Sequence, residues 1–137
     1  ISYRLVGSEM CIRDRALVVG EYWNVGRGWR QEQLADAHRG SDAWVVLKRD
    51  GAVVATARAI GDGGKFSWIY DVAVAAELRG QGVGQALLDI LLDHPAVRGT
   101  VCFLRTRDAR GFYERWGFGP PPARAYESQE LVRLAAR

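Results

Sequence analysis

Arg79-Gly80-Gln81-Gly82-Val83-Gly84 constrains the fold more than any other stretch of this chain. It stands between an apolar strand-like run, Ile69 to Val74, and an amphipathic run, Gln85 to Leu92. Glycine at 80, 82 and 84 removes the Cβ atoms that would hold an anion away from backbone N–H groups. A helix starting there adds donors outside its own ladder and the positive end of its dipole. Strand, glycine turn and helix in that order therefore predict a cradle for a pyrophosphate, with Arg79 as a cation at its rim.

Upstream, Ala43-Trp44-Val45-Val46-Leu47-Lys48, the turn Asp50-Gly51 and Val53 to Ala59 form the clearest hairpin signal, so antiparallel pairing is expected there. Gly61-Asp62-Gly63-Gly64 marks a second turn, and Phe66 to Val74 a third strand. A helix is predicted from Arg30 to Arg39, with Leu34 and His38 on one face and Gly40 as its stop. His38 is expected to be a partly buried helix-end residue rather than a ligand. Ala16 to Trp23 reads as the end of an earlier helix, followed by the loop Asn24 to Gly28. Beyond the glycine loop, Val83, Leu87, Ile90 and Leu91 recur at helical spacing, Leu88 and Leu92 widen the stripe, and Pro95 ends it. Thr100 to Leu104 is a short apolar strand. Asp108 suits the N-cap of a helix from Ala109 to Trp116, Gly117 closes that helix, and Glu130 to Leu134 alternates as a last strand.

The N-terminal stretch Leu5 to Arg15 resembles translated transposase-adapter DNA from a sequencing library, and Arg4 fits the same frame. Residues 1–15 are accordingly expected to be non-native, and residues 16–137 to form a single domain that has lost its own N-terminus. Ile1 to Val6 alternates well enough to pair as a strand, which would then reflect composition alone. Removing three arginines against Glu9 and Asp14 lowers the net charge from +3 to +2, too weak a balance to argue for nucleic acid. Cys102 is the one cysteine outside the foreign stretch; it reads as a small core residue, and neither a disulfide nor a cysteine-rich metal site is expected. No secretion signal and no apolar run of membrane-spanning length stand in the native part, so a cytoplasmic address and no membrane partner are expected. Abundant arginine with only Lys48 and Lys65 suggests a GC-rich bacterial source.

Asp71-Val72-Ala73-Val74 followed by Arg79-Gly80-Gln81-Gly82-Val83-Gly84 resembles the acetyl-CoA site of the GNAT acetyltransferase superfamily, whose loop reads [RQ]-x-x-G-x-[GA]. A second stretch, Thr106-Arg107-Asp108-Ala109-Arg110-Gly111-Phe112-Tyr113-Glu114-Arg115-Trp116-Gly117-Phe118, resembles that superfamily at the expected remove. The resemblance runs from Tyr22-Trp23 to about Tyr126 and is nearest to a bacterial subgroup carrying Tyr-Trp early and Thr-Arg-Asp-Ala late. It implies an α/β fold with a mixed, mostly antiparallel sheet, helices on both faces, a splay where acetyl-CoA enters, and a missing first strand.

The resemblance further implies N-acetyl transfer by direct attack of a primary amine, most readily that of a small molecule, with a protein α-amine or lysine as runner-up. A module that binds acyl-CoA without turnover is the alternative of a different class. Backbone at Ala73 and Val74 would pair with the pantetheine arm, and Arg79, Gly80, Gln81, Gly82, Val83, Gly84 and Gln85 would hold the pyrophosphate. Asp108 stands where many relatives carry an asparagine facing the cofactor. Tyr113 matches the tyrosine that protonates the departing thiolate. Asp71 matches an acidic position facing the acceptor amine; its bland alternative is a polar residue on the solvent face of the strand. Tyr70, Trp23 and Tyr22 are candidates for the acceptor pocket, as is Trp68, with core packing as the competing reading. Arg58, Arg105 and Arg107 could meet cofactor phosphates. Acetyl-CoA as co-substrate, no metal, and a homodimer complete what the resemblance suggests.

Overall fold

The computed structural model describes residues 2–4, 17, 18, 21, 23, 24, 26–122 and 131–134. The chain divides into two compact units, Ile1–Leu104 and Arg105–Arg137. The first holds five strands, β1 (Ser2–Arg4), β2 (Ala43–Arg49), β3 (Ala52–Gly61), β4 (Phe66–Val74) and β5 (Val101–Phe103), in the spatial order of the sequence. Pairing is antiparallel except between β4 and β5, which run parallel. The mixed, mostly antiparallel sheet expected from the resemblance is therefore present. Ser2–Arg4 pairs along β2, with Tyr3 opposite Leu47, as its alternation alone permits. Most of the adapter-like stretch, residues 5–15, lies outside the described residues, as does much of the segment read as an earlier helix, of which Leu17 and Val18 are helical.

The β2–β3 hairpin turns on Asp50 and Gly51, both in the left-handed region at φ 51° and 78°, as its tight turn requires. Between β3 and β4 the carboxylate of Asp62 does the work of a turn template. Its Oδ1 accepts from the backbone N–H of Gly64, Lys65 and Phe66 at 2.9, 2.7 and 3.0 Å.

Helix α1 (Gln31–Arg39) begins with a capping arrangement at Arg30, whose backbone N–H reaches the Gln33 side chain at 3.0 Å. Its inward face carries Leu34, Ala35 and His38, all buried. His38 is 1% exposed, more deeply placed than its position at the helix end suggests. Helix α2 (Val83–Asp93) buries Leu87, Leu88 and Leu91 completely and packs on β2, β3 and β4. Each such leucine contributes roughly 1.5–3 kcal/mol by leaving water.

Pairing and alternation sort the side chains of β3. Ala55, Ala57 and Ala59 are small enough for α2 to lie close, whereas Thr56 and Arg58 point to the opposite face, where Arg58 reaches the carbonyl oxygen of Ala37 in α1 at 3.4 Å. Helices thus cover both faces of the sheet.

The second unit contains α3 (Arg110–Tyr113), continued by a 3-10 turn over Glu114–Trp116 and stopped by left-handed Gly117 at φ 82°. Asp108 does not cap it. The Ala109 N–H bonds the hydroxyl of Thr106 at 3.0 Å, three residues back, while the Asp108 carboxylate pairs with Arg107 at 3.5 Å. Nor do residues 131–134 form the last strand expected there. Leu131, Val132 and Leu134 are 87%, 67% and 72% exposed, and alternation without a paired neighbour among the described residues does not make a strand. Among the described residues, no helix is long and apolar enough to cross a membrane.

Candidate active site

β4 carries the site, and two irregularities along it matter. The first is a bulge. Pairing with β3 runs Arg58↔Tyr70 and then Thr56↔Ala73, so Asp71 and Val72 together face Ala57 alone. Asp71 takes φ 50°, a left-handed conformation that costs a non-glycine residue about 1–2 kcal/mol. The second irregularity is a splay. β5 pairs with β4 only through Phe66↔Val101, Ser67↔Cys102 and Trp68↔Phe103. From Ile69 to Val74 the edge of β4 that faced β5 has no strand beside it among the described residues. An extended chain with its own amides and carbonyls could lie there, in the manner of an added strand.

The open edge leads into the glycine loop. Ala76–Leu78 makes one 3-10 turn, then Gly80 and Gly82 adopt φ 74° and 80°. A Cβ built on either would meet no atom within 4 Å. The loop therefore leaves open space on the side where a side chain would stand. The first bond of α2's ladder joins Ala86 N–H to the Gly82 carbonyl, so the amides of Val83, Gly84 and Gln85 lie ahead of that ladder. Open space, left-handed glycines and a helix start of eleven residues suit a pyrophosphate. Gln81 reaches back to the carbonyl of Glu77 at 3.0 Å. Arg79 folds back similarly: its Nε donates to the Val74 carbonyl at 3.0 Å and its Nη2 approaches Glu21 Oε1 at 3.4 Å, while the side chain stays largely exposed. It therefore stands at the rim, tied to the strand end.

Asp71 is not a solvent-facing strand residue. It is 9% exposed, and its Oδ1 accepts from Trp23 Nε1 at 2.7 Å and Asn24 Nδ2 at 3.4 Å, its Oδ2 from Arg58 Nε at 2.6 Å. Arg58 is correspondingly not a free cation for phosphate. Its side chain is 13% exposed, and its Nη1 donates to Ala37 O and to Ser41 Oγ, the latter at 3.3 Å. Its guanidinium carbon lies 5.1 Å from the ring centroid of Tyr70.

Tyr70 itself is 40% exposed and stacks beside Trp68 at 6.2 Å; Trp68 in turn stacks on Phe103 at 5.0 Å. Of the acceptor-pocket candidates, Tyr70 and Trp23 are thus brought together around Asp71, and Tyr22 lies outside the described residues. His38 is near enough to feel Arg58 and Asp71. Burial pushes its pKa below 6.5, the bond to Leu34 O and the charge of Asp71 oppose this, and Arg58 adds to it.

Tyr113 belongs to the second unit. It is half-buried, edge-on to Phe112 at 5.0 Å and to Phe118 at 6.0 Å. Asp108 is exposed there. Cys102, on β5, is half-buried with Sγ 3.6 Å from Thr100 Oγ1. Sequence reasoning did not find Asn24 or the pairing of Arg58 with Asp71; an arginine one residue from the end of a small-residue run, Ala55 to Ala59, was the only available signal.

A bulged strand, open along one edge and running into a helix start suited to phosphate, defines an α/β protein whose edge and loop suit an extended, phosphate-bearing molecule. The Acetyltransferase (GNAT) family matches residues 10–118, and the chain belongs to that family. A chloroplastic GCN5-related N-acetyltransferase from Arabidopsis thaliana is 32% identical over 92 residues, which are 66% of this chain and 47% of that protein. The chain thus spans about half the length of that relative. Among solved structures, a protein from Xanthomonas campestris pv. campestris assigned as a GNAT-family acetyltransferase superposes with a TM-score of 0.73 at 28% identity, over 88% of this chain and 87% of that one. The glucosamine-6-phosphate N-acetyltransferase of Arabidopsis thaliana shares the fold at a TM-score of 0.64 and 21% identity, over 95% of this chain and all of that one.

Proposed function

We propose that this protein transfers the acetyl group of acetyl-CoA to a primary amine by direct attack. The observation that carries the reading is the open edge of β4 running into the left-handed glycines and the start of α2. Backbone at Ala73 and Val74 would face the pantetheine arm along that edge, while Gly80, Gly82 and the amides of Val83, Gly84 and Gln85 would take the pyrophosphate. Arg79 and Gln81 shape the rim of that cradle, and Asp108 is assigned to the cofactor side by resemblance alone. No metal enters the proposal.

In the step itself, the neutral amine nitrogen forms a bond to the thioester carbonyl carbon, and the carbon–sulfur bond breaks. The amine's proton leaves to solvent or a nearby base. The thiolate takes a proton from the phenol of Tyr113, which regains one from water. A backbone N–H near Val74 would polarise the carbonyl as charge develops on its oxygen. Asp71 serves the acceptor side. Its carboxylate already accepts three hydrogen bonds from protein donors, which favours orienting over proton abstraction. Tyr70, with Trp23 behind Asp71, offers an aromatic face to the body of the amine.

A small-molecule amine is the proposed acceptor, because this aromatic face is confined to a few rings on β4 and β5. An amine panel assayed for CoA release, with background hydrolysis subtracted, tests the activity. Tyr113→Phe should lower turnover by about 100-fold or more, the usual worth of a general acid, and leave acetyl-CoA affinity nearly unchanged. Unchanged turnover removes Tyr113 from the mechanism. Acetyl-CoA binding without CoA release for any amine would favour a binding module instead.

A further inference from the structure

A left-handed aspartate in the middle of a strand persists only where its surroundings hold it. Among the described residues, Asp71 is held by three donors from elsewhere in the chain, of which Arg58 is the charged one. Arg58 is itself fixed on three sides: by Asp71, by Ala37 O with Ser41 Oγ at the end of α1, and by the ring of Tyr70. The pair therefore ties α1, the segment carrying Trp23 and Asn24, and the bulge of β4 into one cluster. Directly beyond the bulge come Ala73 and Val74, and Arg79 binds the Val74 carbonyl at the far end.

We infer that Arg58 is a positioning residue that acts through Asp71. By clamping the bulge it sets the phase of Ala73 and Val74 on the donor side and of Tyr70 on the acceptor side. Its effect on turnover rests on the acetyltransferase reading. Its effect on the backbone of β4 does not.

Arg58→Met removes the charge and the hydrogen bonds while keeping much of the length. Turnover should fall by about 10- to 100-fold, the scale of a misplacement near 1 Å, a larger factor than the loss of acetyl-CoA affinity, because the glycine loop is untouched. Amide hydrogen exchange at residues 71–74 should rise. Asp71→Gly placed in that background should bring exchange at residues 71–74 back toward the wild-type rate, since glycine adopts φ near 50° without strain and leaves no unpaired buried carboxylate. A merely structural loss would not be rescued by deleting a second buried group.

Arg58→Met with turnover within about twofold of wild type and unchanged exchange would overturn the inference. So would a folded double variant in which exchange at residues 71–74 stays as fast as in Arg58→Met. Should Arg58→Met fail to fold, Arg58→Lys, which keeps the charge but not the fork that reaches both Asp71 and Ala37, is read the same way. If wild type releases no CoA with any amine, the acetyltransferase reading fails, and the exchange data alone still decide the clamp.

Discussion

His38 shows how one buried residue gives the protein a pH dependence of defined sign. Its Nδ1 lies 3.1 Å from the Leu34 carbonyl oxygen, the ring is almost fully buried, and burial keeps its pKa below 6.5. The unfolded chain then binds a proton more readily than the folded one, so stability is full above pH 6.5 and declines as pH falls below it. Melting temperatures of wild type and His38→Gln, compared between pH 8 and 5, should converge at the acid end; parallel curves would contradict the burial effect. Gly82→Ala makes a second residue-scale case. At φ 80° an alanine costs about 1–2 kcal/mol, and because its methyl meets no protein atom, the added loss falls on whatever occupies the loop. Acetyl-CoA affinity should therefore drop by more than about tenfold, beyond what the melting shift explains. The glycine loop was legible because glycine placement is a local signal. The anchoring of Asp71 was not, because its donors stand 13, 47 and 48 residues away and only the folded sheet brings them together.

Among the elements, β2, β3, β4 and α2 follow directly from alternation, turn chemistry and 3.6-residue spacing, and their boundaries lie within one or two residues of those read from the sequence. The misplaced features share a cause. Asp108 turns to Arg107 and α3 starts at Ala109 without a side-chain cap, and Glu130 to Leu134 alternates without a described neighbour to pair with; in both, a local pattern names a candidate and tertiary geometry decides. Elements also carry their own predictions. Three backbone N–H bonds hold the Asp62 carboxyl down to about 2, so the β3–β4 turn is secure above the ordinary value of 3.8 and loosens as pH falls through 2. Asp62→Ala should therefore speed amide exchange at residues 64–66 at neutral pH and abolish the acid-dependent change seen in wild type. On α2, Leu87→Ala opens a cavity against the alanine face of β3 and should cost about 2–5 kcal/mol in denaturant unfolding; a loss under about 1 kcal/mol would mean that α2 does not seat as described.

At the scale of the whole molecule, the reading ties stability to the co-substrate. A ligand that binds only the folded state stabilises it by about 2.7 kcal/mol at a hundred times its dissociation constant. For a chain of 137 residues that gain corresponds to a rise of roughly 8–13 °C in melting temperature. Acetyl-CoA and CoA should both produce it, since they share the diphosphate, and NAD should not, since the loop lacks the dinucleotide pattern of glycines. The same measurement isolates the N-terminus. Residues 1–15 contribute the short edge strand Ser2–Arg4 beside β2, yet the open edge of β4, the glycine loop and the start of α2 all lie between residues 69 and 86. The family match begins at residue 10, within the stretch that resembles adapter DNA. Removing residues 1–15 should alter the unliganded melting temperature, because β2 loses Ser2–Arg4 as its neighbour. The acetyl-CoA increment should stay within a few degrees of its former value. A genomic contig that encodes Leu5 to Arg15 without an adapter junction would make that segment native, and loss of the increment on removal would show that the cradle depends on it.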